Sequence, residues 1–244
     1  MIIKLKDVND DLALQRGDAV VHVFNQLKGV VESDFLVDMG LASGLLWAKA
    51  NIDLTTDSKF QEVNGEISPF TYDCSFFSFG NTVGHNPISE SAFDYDFGSS
   101  NDGPYASTPG AQLTGDIPLS YDAAAVNCGA PWRMPSREEF AELFDNCDFI
   151  DENGDVISGT NKLTTINGIV GIRLKSKNNG NILFFPCSGY GNGTYWDYRG
   201  SYGFYWSSSL YSATDGCDLG FYSDGVYPQV NNLRFNGFVI RPVQ

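Results

Sequence analysis

From Phe35 onward, no apolar stretch of this chain runs far before a Gly, Ser, Asn or Asp interrupts it. Such punctuation leaves room for short strands and short helices joined by turns, not for long regular elements. The final segment, 187–244, is the extreme case. It holds 8 of the 12 tyrosines and no lysine, and small residues separate nearly every aromatic.

Phe35-Leu36-Val37-Asp38 and Leu45-Leu46-Trp47-Ala48 read as strands around the turn Ala42-Ser43-Gly44. Gly171-Ile172-Arg173-Leu174 and Ile182-Leu183-Phe184-Phe185 read as a further pair, joined at Lys177-Asn178-Asn179-Gly180. Two helices are expected. Ser120 is placed to cap the first, over Tyr121–Val126, and Gly129 to end it. Ser136 and Glu139 form a capping box for the second, with Phe140, Leu143, Phe144 and Cys147 on one stripe at i, i+3, i+4 and i+7. Residues 53–118 carry five prolines and little periodicity, so they are either a functional insertion or a wrap over the core. Two small helices among many short strands predict an α+β fold with long loops.

Residues 1–34 differ from the rest and are expected to be a separate attachment or oligomerisation segment, with the domain at 35–244. Residues 19–28 fit a helix capped by Asp18 or a strand built on Val20, Val21 and Val23, and both readings stay open.

Fifteen basic against thirty acidic side chains give a formal charge of −15. Phosphate binding needs clustered Lys and Arg, so a nucleic-acid partner is not expected, and the same field disfavours anionic lipid. With 42% hydrophobic and 18% charged residues the chain can bury a core. No run approaches the ~18 apolar residues of a membrane span, so no membrane insertion is expected. The start, Met1-Ile2-Ile3-Lys4-Leu5-Lys6-Asp7, lacks the apolar stretch of a secretory signal, which predicts synthesis in a cytoplasm. Cys74, Cys128, Cys147, Cys187 and Cys217 are odd in number, scattered and without a CxxC, and read as free thiols.

Catalytic signatures are sparse. His22 and His85 stand alone, and neither HExxH nor G-x-S-x-G occurs. Gly189-Tyr190-Gly191-Asn192-Gly193 lacks the Lys-Ser/Thr of a phosphate loop and reads as a flexible turn. Asp94-x-Asp96 and Asp151–Asp155 have glycines out of place for calcium loops and read as solvated turns. No enzyme activity, metal or cofactor is expected.

The segment 190–236 has the composition of a binding surface. Tyrosine supplies contact area with few torsions to freeze, and Gly, Ser and Asn supply adaptable loops. As a strand, Asp218-Leu219-Gly220-Phe221-Tyr222 would send Leu219 and Phe221 to a core face. Asp218, Gly220 and Tyr222 would go to the other face, a mixture that no core would select. Trp206 within Tyr205–Ser209 and the end Gly237–Val243 read as framework. Tyr195, Asp197, Tyr198, Tyr202, Tyr227, Val230, Asn231, Asn232, Leu233 and Asn236 sit in turn-like surroundings and are expected to be exposed.

Five ordered motifs, Val37–Ala48, Tyr121–Ala124, Trp132–Phe140, Tyr205–Ser209 and Ile240–Val243, resemble the major-paralogous-domain branch of C-type-lectin-fold proteins, which is related to formylglycine-generating enzymes. The resemblance spans about 35–244 and implies a C-type-lectin-like α+β domain, its two short helices packed on small antiparallel sheets. Within that branch the tail resembles the variable protein of a diversity-generating retroelement, whose 3′ gene end is overwritten by adenine-scrambled copies. The resemblance implies a diversified ligand-binding set at Tyr195, Asp197, Tyr198, Tyr202, Phe204, Asp215, Cys217, Asp218, Gly220, Tyr222, Tyr227, Val230, Asn231, Asn232, Leu233 and Asn236.

It further implies a phage tail protein that recognises a bacterial cell-surface protein or glycan receptor and determines host range. Residues 1–34 would then join it to other virion tail proteins, a homotrimer being allowed. Two rivals stand beside this reading: a bacterial surface adhesin, and an oxidase of the formylglycine-generating type. Against the oxidase, Cys187 and Cys217 lie 30 positions apart, without that family's close catalytic pair. The calcium-and-sugar motifs of animal C-type lectins are missing too.

Overall fold

A computed structural model describes residues 35–98 and 114–244. The expectations for the amino-terminal segment 1–34, including the choice at 19–28 and His22, fall outside these residues. The chain divides at Leu36/Val37, and Val37–Gln244 is one compact unit.

The strands are β1 (Leu36–Asp38), β2 (Leu46–Ala48), β3 (Glu62–Val63), β4 (Glu66–Ile67), β5 (Pro87–Ser89), β6 (Ala92–Phe97) and β7 (Cys147–Phe149). They continue with β8 (Leu163–Ile166), β9 (Ile169–Ser176), β10 (Ile182–Pro186), β11 (Tyr190–Asp197), β12 (Gly203–Leu210), β13 (Asp215–Tyr222) and β14 (Gly225–Leu233). Helices α1 (Ala123–Cys128) and α2 (Arg137–Asp145) lie between β6 and β7. Five small sheets result: β1-β2, β3-β4, β5-β6-β11, β10-β9-β7 with β8 also on β9, and β12-β13-β14.

The expected α+β, lectin-like class is therefore corrected. The structure is mostly β, 44% strand against 10% helix, in several small antiparallel sheets. The physical reason is that the punctuated chain spends its residues on edge pairings that sequence periodicity cannot announce. Isolated bridges join Trp47 and Arg133 to Val243, and Phe77 to Phe238, across most of the chain length.

Local expectations fare unevenly. The capping box is present, with Glu139 N donating to Ser136 Oγ at 3.2 Å and Ser136 N donating to Glu139 Oε2 at 2.8 Å. Phe140 and Leu143 are buried, but α2 stops at Asp145, so Cys147 belongs to β7 and not to the helical stripe. Helix α1 is capped by Asp122, not Ser120. Asp122 Oδ1 accepts from Ala124 N and Ala125 N at 2.8 and 3.0 Å, and its Oδ2 accepts from Met134 N at 2.8 Å. Residues 119–121 form a separate 3-10 turn, and Gly129 ends α1.

Over its described residues, 53–98 and 114–118, the proline-rich stretch is a wrap. Its Cys74, Phe76, Phe77, Phe79, Phe93 and Phe97 are buried in the core. The β9–β10 hairpin pairs Ile182 with Lys175 and Phe185 with Ile172, as the two apolar runs predict.

Two core clusters lie on opposite faces of β12-β13-β14. Tyr205, Leu219 and Phe221 enter one, with Trp47, Phe140 and Phe185. Trp206 and Leu210 enter the other, with Phe79, Phe238 and Ile240. At the chain end, the fully buried Arg241 donates through Nε to Asn51 Oδ1 at 2.8 Å. Its terminal nitrogens donate to the carbonyls of Ala48, Lys49 and Phe184. Burial pulls its pKa down to about 10. A buried guanidinium with every nitrogen engaged clamps three chain segments together, which explains why Ile240-Arg241-Pro242-Val243 is framework.

Candidate ligand-binding surface

Strand β13 carries the surface. It lies between β12 and β14, with Phe204 opposite Gly220, Tyr205 opposite Leu219, and Trp206 opposite Asp218. Alternation places Leu219 and Phe221 in the core and Asp218, Gly220 and Tyr222 on the other face, as the sequence predicts. That other face is not open along its whole length. Over Trp206 it is roofed by Phe79 and Phe238, at ring-centroid distances of 5.2 and 4.2 Å. Toward Tyr222 the roof ends.

At that open end five tyrosines form a ladder. Tyr190 stacks on Tyr198 at 6.0 Å, Tyr198 on Tyr202 at 4.4 Å, and Tyr202 on Tyr222 at 4.8 Å. Tyr227 leans on Tyr222 at 5.5 Å. The rings come from three places: the start of β11, the turn before β12, and the β13–β14 hairpin. Ser201 N and Tyr202 N both donate to Tyr198 O, at 3.0 and 3.1 Å, which closes the turn. Tyr198 adopts φ +56°, a left-handed conformation that costs an L-residue ~1–2 kcal/mol. Strain of this kind persists only where surroundings impose it, and here the two hydrogen bonds to Tyr198 O hold the turn.

Phe204 couples ladder to core: it packs edge-on to Tyr190 at 5.3 Å and stacks on Phe238 at 4.9 Å. Burial raises the Tyr190 pKa, and the Asp197 carboxylate adds to the rise. The Tyr222 pKa is raised first by its hydrogen bond with Tyr227.

The expected residues divide into four groups. Tyr198, Tyr202, Phe204, Tyr222 and Tyr227 come together in the ladder. Tyr195, 66% exposed, stands apart on β11 opposite Ala92. Asp197 accepts from Asn192 Nδ2 at 3.0 Å. Asp215, Asn231, Leu233 and Asn236 lie toward the far end of the sheet. There Asp215 accepts from Ser212 Oγ at 2.7 Å and Asn236 N donates to Leu233 O at 3.0 Å.

Cys217, Asp218 and Gly220 are buried, against the expectation of a displayed set. The reason is that β13 is a central strand, so side chains of β12 and β14 overhang it. Cys217 Sγ lies 3.9 Å from Arg137 Nη1. Asp218 is opposite both Trp206 and Val230 and is fully buried. Asn232 Nδ2 donates to its two oxygens at 3.0 and 3.2 Å. Desolvation pushes the Asp218 pKa up to about 7, and the Asn232 hydrogen bond only partly opposes it.

Gly220 sits beneath Phe204 and Val230, yet an added Cβ would meet Val230 Cγ2 at 3.4 Å and Phe204 Cε1 at 3.5 Å, ordinary contact distances. At Gly203 and Gly216 a Cβ would drive into the Phe221 and Phe79 rings instead. One sheet thus holds glycines that must stay glycine and one that can change.

The supposed turn positions are also corrected. Tyr195 and Asp197 belong to β11, and 227–233 to β14, whose residues alternate between more and less exposed along an edge strand. Pro228 stands within β14, where an edge strand tolerates proline. Tyr190 was missed because Gly189–Gly193 read as a flexible turn. Gly189 and Gly191 are packing positions: a Cβ on Gly189 would meet the Asp197 carbonyl and one on Gly191 would enter the Phe97 ring.

All five cysteines are free. Burial raises every one of their pKa values, Cys128 and Cys147 to about 12, with Cys74 and Cys187 also well above the usual thiol range. His85 stacks on Tyr95 at 3.5 Å, and burial lowers its pKa. Among the described residues no three His, Cys, Asp or Glu side chains group to hold a metal ion, and no helix is long and apolar enough to cross a membrane.

No curated protein and no solved structure matches this chain. Residues 157–243, from just before β8 to the end of the core, match the family described as a domain of unknown function, DUF8237, and this segment contains the whole tyrosine ladder.

Proposed function

We propose that this chain is a non-catalytic binding protein. Its tyrosine ladder and the changeable positions beside it contact a receptor on a bacterial surface, in the role of a phage tail receptor-binding protein. The observation that carries the reading is the ladder itself: four stacked tyrosines and a fifth leaning on them, partly exposed and fixed on a sheet whose opposite face is sealed core. Aromatics held rigid before contact spend little entropy on binding, where each loose side chain would cost ~0.5–1.5 kcal/mol to immobilise. Gly220 and the exposed residues of β14 can vary without disturbing that core, which is what a diversified surface requires.

A formylglycine-generating type of oxidase needs an ionisable thiol. Here Cys187 and Cys217 are buried with raised pKa values, which makes poor nucleophiles.

The test is retention of the fluorescently labelled full chain on a panel of intact bacterial cells. The wild-type chain should be retained by particular strains, and Tyr198→Ala/Tyr202→Ala/Tyr222→Ala should lose retention while keeping its circular dichroism. Retention unchanged in that folded variant would remove the ladder from the contact. The retroelement assignment has its own test in the neighbouring DNA. A near-copy of the end of this coding sequence, differing opposite template adenines and lying beside a reverse transcriptase gene, is the expected finding.

A further inference from the structure

Tyr227 belongs to two features at once. It ends the ladder, and it lines a groove of about 390 Å³ between the start of β14 and the corner where α2 meets β7. Phe144 and Phe149, stacked at 5.9 Å and 8°, form the opposite wall with Val226 and Pro228 nearby. Asp145 and Asp224, both exposed, stand at the rim. The groove already accommodates one cation of its own. Lys162 Nζ lies 5.4 Å from the Phe149 ring centroid and donates to Ile157 O at 2.7 Å.

Charge sets the partner's sign. Two carboxylates against one ammonium leave the groove negative. In 187–244 the cations are Arg199, Arg234 and Arg241, and the last two are buried. The whole chain carries −15. Shape sets its form: apolar walls beneath a charged rim suit a long apolar stem that ends in a cation. Phe144 and Phe149 face each other and Lys162 already sits over Phe149, so the aromatic open to that cation is Tyr227, 38% exposed. The inner ladder rings Tyr198, Tyr202 and Tyr222 each lie between two ring neighbours, so their faces are not offered for stacking against sugar rings.

We infer that the groove at Tyr227 receives a lysine or arginine side chain projecting from a partner protein, beside the contact made by the ladder. The inference rests on the binding reading above and adds the chemistry of the partner: a protein surface bearing a basic residue.

The probes are N-acetyl-lysine methylamide, its arginine counterpart and its uncharged norleucine counterpart, titrated into the isotope-labelled full chain and followed by amide chemical shifts. Saturable shifts at Phe149, Gly225 and Tyr227 are expected with the two cationic probes, about fivefold tighter than with norleucine. Asp224→Asn should remove that preference. Equal affinity for norleucine and lysine, or saturable shifts confined to other regions, would overturn the inference. Cell retention separates its failure from that of the binding reading. Loss in the ladder variant with full retention by Asp224→Asn would defeat the groove and leave the ladder standing. Full retention by the ladder variant would defeat the binding reading, whatever the probes do.

Discussion

Tyr202 and Tyr205 are three residues apart and have opposite fates. Tyr205 is fully buried. Its hydroxyl donates to Pro186 O at 2.7 Å, its ring packs on Phe185 at 5.2 Å, and burial drives its pKa far upward. Tyr202 is half-buried, its ring stacked by its faces between Tyr198 and Tyr222. Residue type does not separate framework from display here. What separates them is whether every polar atom already has a partner inside the protein, because a buried unsatisfied hydroxyl is expensive and an exposed one is not.

If that contrast is real, substitutions on the two sides should differ sharply. The largest effect is expected at Trp206, fully buried with Nε1 donating to Phe77 O at 2.7 Å. Trp206→Ala should cost ~3–5 kcal/mol in urea denaturation. A loss below ~1 kcal/mol would show that the sheet is not sealed on that side.

Next comes Asp218, whose folded pKa of about 7 stands above its unfolded value. The folded state therefore holds the proton more tightly. The resulting stability is complete at low pH and is lost as pH rises through about 7. Asp218→Asn should be the more stable protein above pH 7, by up to a few kcal/mol, and should flatten the pH dependence of the urea midpoint. A wild-type midpoint that climbs from pH 5 to 8 through this residue would contradict the burial assigned to it.

The two kinds of glycine come third. Gly203→Ala, pushing into the Phe221 ring, should cost ~1–3 kcal/mol. Gly220→Ala should be neutral or stabilising by ~0.5–1 kcal/mol, because glycine weakens a strand interior. Equal costs at both positions would erase the distinction between fixed and changeable sites.

The smallest effect is at Tyr198. Replacing it by glycine relieves the positive φ but removes a stacked ring worth ~0.5–1.5 kcal/mol. Thermal unfolding should move by only a few degrees, while cell retention falls.

Much of this contrast can be read locally. The capping box at Ser136 and Glu139 and the alternation of Leu219 and Phe221 depend on neighbours in sequence, and both are present. What local pattern cannot carry is the coverage of a central strand. Asp218 and Gly220 look displayed until β12 and β14 close over them, and those overhangs depend on pairings with residues about 12 positions away on either side. The same holds for fold class. Pairings such as β6 with β11 turn apparent loop into strand, and no local window of sequence contains both partners. The groove at Tyr227 unites Phe144, Phe149 and Lys162 with β14, again from distant segments. Tyr190 could have been found, since its aromatic stands among glycines as Tyr202 does.

The account turns on one property: the ladder face can change its side chains while the sheet beneath holds its shape. Two libraries measure this directly, one randomised at Tyr198, Tyr202, Gly220, Tyr222 and Tyr227, the other at Tyr205, Trp206, Leu219 and Phe221. Each is displayed on cells and sorted for protease resistance. Most members of the first library should stay resistant and few of the second. Equal survival in the two libraries, high or low, would contradict the account.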